Sequence, residues 1–189
     1  YHLMQAYLDP GSSVLVPTPC YPAYLGAARL CDATPIEIGL RAENDFVLDL
    51  RDVPTDAARA ASMLVVNSPH NPTGAVTDRE VWREIVAFAR DHDLLLVSDI
   101  PYSELVLDDT PPPPSVLEFP GAREIAVELQ SLSKSHSMAG WRVGFAVGNA
   151  EAIGNLAKLK SNADFGMFLA VQHAAAAALD ASEETVAIT

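Results

Sequence analysis

The chain has 189 residues, 49% of them hydrophobic, with 12 Lys and Arg against 25 Asp and Glu and a formal net charge of −13. That length and apolar share suit one sizeable globular core, and no uncharged apolar run is long enough to span a membrane. The acidic residues are scattered, and such a surface repels nucleic acid and anionic lipid, which argues against both as partners.

The opening "YHLMQAYLDPG" has no initiator methionine and reads as a helix over 3–8 stopped by Asp9-Pro10-Gly11. Next, "VLVP" (14–17) is a short buried strand, and "PIEIGL" (35–40) alternates like another. "PTDAARAA" (54–61) has helical composition, and "MLVVN" (63–67) is an apolar strand running into the turn signal "SPHNPTG". Thr77 is expected to cap a helix. Thr-Asp-Arg-Glu fits a capping box, and Val81, Trp82, Ile85, Val86 and Phe88 make one apolar face.

"LLLVSD" (94–99) is continuous in apolar residues, as strands covered on both faces are. Pro111–Pro114 mark an exposed, polyproline-like loop. "IAVELQSLS" (125–133) and "VGFAVGN" (143–149) are two more strands, followed by helices over 150–160 and 167–179. The final "SEETVAIT" adds no closing element, so the chain is expected to be an interior piece of a longer protein.

Strands alternating with helices predict one α/β domain, a three-layer α/β/α arrangement around a mostly parallel mixed sheet. Only about ten residues join the last two strands, fewer than a parallel crossover needs, so the strand near 143–149 is expected to be antiparallel. Cys20 and Cys31 are too far apart for a Cys-x-x-Cys zinc site and join no His cluster. With no signal-peptide pattern in the chain, they read as reduced thiols of a cytoplasmic protein.

In open α/β sheets, ligands bind beyond the carboxyl ends of the parallel strands. Four such ends carry unusual residues: Tyr21 between two prolines, Asn71 in "SPHNPTG", Asp99 with Tyr102, and Ser131, Ser133 and Lys134 with Arg142 on the returning strand. Lys134 is one of three lysines in the chain. These residue types suit a flat, electron-poor heterocycle that carries a phosphate. A carboxylate keeps a ring nitrogen protonated, while a phenol and an amide hold a ring oxygen and an aromatic side chain stacks on the ring. Hydroxyls and a guanidinium fork bind phosphate, and an amine condenses with an aldehyde. That is the demand list of pyridoxal 5'-phosphate.

At these residues the sequence resembles the fold-type I pyridoxal-phosphate-dependent aminotransferases of class I/II. "NSPHNPTGAV", "SDIPYSEL" and "SLSKSHSMAGWRVGFAVGN" stand in the family's order and spacing, and the last of these, with "KSNADFG", looks most like the LL-diaminopimelate and alanine aminotransferase branches. The resemblance implies transamination between an amino acid and a 2-oxo acid through a Schiff base on Lys134. It implies that Asp99 pairs with the ring nitrogen and that Asn71 and Tyr102 hold the ring oxygen. Tyr21 is then the stacking residue, and Ser131, Ser133 and Arg142 bind the phosphate. It also implies cis peptides before Pro19 and Pro72, no metal, and a homodimer.

By the same resemblance, residues 1–180 form the large cofactor domain, lacking part of its N-terminal side. Residues 181–189 begin the connection to a small C-terminal domain. The alternatives at this point are a C–S β-lyase of the same fold and a structurally intact but inert fragment. His70 and His136 are read as hydrogen-bonded neighbours, Trp141 as packing under the lysine loop, and Gly144 and Gly148 as allowing close strand packing.

Overall fold

The computed structural model describes residues 1–105 and 111–181. Its centre is a six-stranded sheet in the order β2-β1-β3-β4-β5-β6. The strands are β1 (Ser13–Thr18), β2 (Thr34–Gly39), β3 (Ala61–Asn67), β4 (Leu95–Asp99), β5 (Ala126–Ser131) and β6 (Gly144–Gly148). All pairings are parallel except that of β5 with β6, where Ser131 lies opposite Gly144 and Val127 opposite Gly148. The short connection thus does force an antiparallel return. Glycine is required there, because a Cβ on Gly144 would sit 2.5 Å from the Gln130 carbonyl oxygen, and one on Gly148, at φ +135, would collide with that of Ala126.

Helices cover both faces of the sheet. On one side α1 (His2–Tyr7), α2 (Ala23–Leu30) and α7 (Ala150–Ala163) bury Leu3, Met4, Ala27, Ala28 and Ala152 against Val14, Met63, Val65 and Val97. On the other, α3 (Thr55–Ala60), α4 (Arg79–Asp91) and α5 (Ala122–Ile125) pack Ala58, Trp82, Ile85, Val86 and Ala122 against Leu15, Leu64, Val66 and Leu96. Neighbouring residues of β3 therefore divide between two cores, as the two-residue period of a strand requires. This is why the central strands read as unbroken apolar runs. A third, smaller cluster joins α6 (Leu132–Ser135) to α8 (Leu169–Asp180) through Leu132, Met138, Val143 and Ala175. It supports the connection that carries Lys134.

Several expectations need correction. The cap of α4 is Asp78, whose Oδ1 accepts from the N–H groups of Glu80 and Val81. Thr77 is buried instead, its N–H donating to Ser68 Oγ at 2.8 Å. The strand expected over 125–133 ends at Ser131, whose side chain accepts from the Ser133 N–H and starts α6. Helix α2 was not foreseen, because "AYLGAARL" is short and buries only Ala27 and Ala28. Trp141 does not pack under the lysine loop; it is 51% exposed. Of the expected interdomain connection, all but Ala181 lies outside the described residues.

Candidate active site

The carboxyl ends of β1, β3, β4 and β5 meet at one open cleft of about 320 Å³. Its lining includes Tyr21, Asn71, Asp99, Tyr102, Ser131, Ser133, Lys134 and Arg142, so every residue singled out from the sequence reaches the same place. Parallel strands put their ends on one rim. The antiparallel β6 then returns Arg142 beside Ser131, with Arg142 itself in a left-handed conformation (φ 54) just before the strand.

Local chemistry aims each group. Cis peptides precede Pro19 and Pro72, as expected, and also Pro69. Because Ser131 caps a helical turn, the strand's alternation is broken, and the adjacent Ser133 and Lys134 both face the cleft together with Ser131. A turn after β4, closed by the Ser103 N–H on the Ile100 carbonyl at 3.2 Å, presents Tyr102. Asn71 Nδ2 donates to the Tyr102 hydroxyl at 3.4 Å, and Lys134 Nζ lies 5.9 Å from the centre of the Tyr102 ring. His70 and His136 are buried neighbours, bonded through Nδ1 to Thr73 Oγ1 and Ser135 Oγ.

Two polar lining residues escaped the sequence reading. Asn67, the last residue of β3, donates through Nδ2 to the Asp99 carbonyl at 2.8 Å, while its Oδ1 accepts from the Asn71 N–H at 2.6 Å. One amide thereby joins two of the loops. Tyr24 donates its hydroxyl to Asp99 Oδ2 at 2.5 Å. The available signal was the second tyrosine of "YPAY", one helical turn after Tyr21 once α2 is recognised. Burial pushes the Asp99 carboxyl above the ordinary carboxylate range, and the Tyr24 hydrogen bond opposes part of that rise. Burial, then the charge of Asp99, pushes the Tyr24 phenol well above its usual value, so it remains a donor.

The family model for aminotransferase class I and II matches residues 1–187. The chain belongs to this family. The LL-diaminopimelate aminotransferase 2 of Trichormus variabilis is 48% identical over 178 residues, which are 94% of this chain and 45% of that protein. The LL-diaminopimelate aminotransferase of Desulforudis audaxviator is 45% identical over 185 residues, 98% of this chain and 47% of that one. Among solved structures, the aspartate aminotransferase from Thermus thermophilus with maleate superposes at a TM-score of 0.92 and 33% identity, covering 99% of this chain and 48% of that one. The chain thus spans about half the length of the curated relatives it matches.

Class I and II aminotransferases work with pyridoxal phosphate, and the cleft suits that molecule by its own chemistry. Among the described residues, none of Asp99, Lys134 and Arg142 takes part in an ion pair, although all three line one pocket. A largely buried carboxylate that joins no ion pair among the described residues matches a protonated ring nitrogen. A guanidinium beside two hydroxyls matches a phosphate dianion.

Proposed function

We propose that the protein containing this chain is a pyridoxal-phosphate-dependent aminotransferase of the LL-diaminopimelate type. It would move an α-amino group between an amino acid and a 2-oxo acid, with residues 1–180 as the larger part of its cofactor domain. The observation that carries this is the cleft, where an anion and two cations without ion-pair partners among the described residues line one pocket. The substrate type is supported by relatives of that name at 48% and 45% identity.

When bound, pyridoxal phosphate supplies an aldehyde carbon for amine condensation and a ring that withdraws electrons from the bond to be broken. The chain's residues do the rest. Asp99 would hold the proton on the ring nitrogen by its charge. Asn71 and Tyr102, already within hydrogen-bond reach of each other, would hold the ring oxygen, and Tyr21 would stack on the ring. Ser131, Ser133 and Arg142 would grip the phosphate. Lys134 Nζ would be the attachment amine, and the same atom, when free, would take the proton from the substrate Cα and hand it on.

A homodimer in the cytoplasm completes the proposal. Family membership supports the dimer, and the unpaired Cys20 and Cys31 support the reducing compartment. Among the described residues no helix is long and apolar enough to cross a membrane.

Borohydride treatment of protein loaded with pyridoxal phosphate, followed by peptide mass spectrometry, should place the cofactor's mass on Lys134, and Lys134→Ala should carry none. Label retained elsewhere in the variant would sink the assignment of Lys134. Half-reactions with LL-diaminopimelate, glutamate and alanine then rank the donors. Pyruvate and ammonia released from a cysteine conjugate, without any 2-oxo acid present, would overturn transamination.

A further inference from the structure

We infer that Tyr24 is a positioning residue for Asp99: its phenol occupies one carboxylate oxygen and keeps the group ionised, leaving the other oxygen free for the cleft. The hydrogen bond spans 75 residues of sequence and ties the first turn of α2 to the end of β4 at 2.5 Å. Tyr24 is held on the other sides too. Its ring packs among the apolar residues beside Ala27 and Val65, and meets the Tyr21 ring edge-on with centroids 5.8 Å apart at 79°.

The surroundings explain why a donor is needed. A second cavity of about 190 Å³ touches both Tyr24 and Asp99 and is lined mainly by apolar side chains, among them Leu3, Met4, Met63 and Val97. A carboxylate facing such a wall favours its neutral form unless a hydrogen bond stabilises the charge. Tyr24 supplies that bond. Without it Asp99 gains a proton more readily, and a neutral Asp99 no longer holds positive charge on a ring nitrogen.

The test has two arms, of which only the second rests on the pyridoxal-phosphate reading. In cofactor-free protein, the Asp99 carboxyl is followed by carbon-13 NMR as pH is varied. The titratable and charged groups facing it are Tyr24 from α2, Tyr1 ahead of α1, and Tyr102, Lys134 and Arg142 around the cleft. Only Tyr24 is changed. Tyr24→Phe, which keeps the ring, should move the Asp99 midpoint upward, and Tyr24→Leu should move it as far while costing more thermal stability.

With cofactor labelled at the ring nitrogen, Tyr24→Phe should shift the nitrogen-15 resonance toward the unprotonated position. It should also weaken cofactor binding about tenfold, as loss of a hydrogen bond to a charged group does. An unmoved Asp99 midpoint in Tyr24→Phe overturns the inference. So does a shift seen only in Tyr24→Leu, which would assign the effect to ring packing. If the wild-type protein takes up no pyridoxal phosphate, the functional proposal fails, and the carboxyl titration alone decides the place of Tyr24.

Discussion

Asn67 spends both ends of one amide on the site. Its Nδ2 reaches the carbonyls of Asp99 and Pro69 at 2.8 and 3.1 Å, and its Oδ1 takes the Asn71 N–H at 2.6 Å. These bonds set the spacing between the Asn71 loop and the Asp99 strand end. Asn67→Ala leaves the Asn71 N–H without that acceptor, a loss of about 1–3 kcal/mol for a buried group. Cofactor affinity, followed by fluorescence titration, should fall about tenfold, and thermal stability should fall with it. The motif residues were legible at this scale because an amine, a carboxylate and a guanidinium at strand ends have a chemistry that announces itself. Asn67 was hidden because an asparagine next to a turn is ordinary, and only its hydrogen-bond partners give it a role.

Helix α4 shows how an element's boundary depends on its neighbours. Thr77 and Asp78 both suit an N-cap, and the capping-box spacing to Glu80 favours Thr77. Ser68, near the end of β3, takes the Thr77 N–H and draws that residue into the interior, so the cap passes to Asp78. Asp78→Ala should therefore cost about 1 kcal/mol, seen as a fall of about 2–4 °C in Tm for a chain of this size. The same logic applies to α6. A two-residue alternation would send the adjacent side chains of Ser133 and Lys134 to opposite faces, but the Ser131 cap turns the chain into a helical turn and brings both to the cleft.

Over the whole molecule, a sheet covered on both faces leaves its strand ends as the place where polar groups can converge. Buried carboxyl groups are the cost of that design, and Glu128 on β5 is one of them. It accepts from the Ser115 hydroxyl at 2.8 Å and the Val116 N–H at 3.0 Å. Burial still pushes its carboxyl above the ordinary range, against those two bonds. A raised folded-state value means that the folded form holds the proton more tightly. This contribution to stability is complete below the ordinary carboxylate range and is lost as pH rises through the folded value. Glu128→Gln, which keeps an acceptor but no charge, should therefore gain on the wild type as pH rises above the ordinary carboxylate range. Paired thermal melts check this, and a Tm difference that stays flat with pH would contradict it.

The α/β class, the antiparallel return and the residues of the cleft were determined by the sequence alone. Hydrophobic period, connection length and side-chain chemistry are local quantities, and they point the same way here. The positions of Asn67 and Tyr24 were decided by the tertiary structure. Each acts through a partner distant in sequence, 32 residues from Asn67 to Asp99 and 75 from Tyr24 to Asp99. Such a pairing has no local signature, because it exists only after the two cores have closed and placed α2 and β3 beside the end of β4.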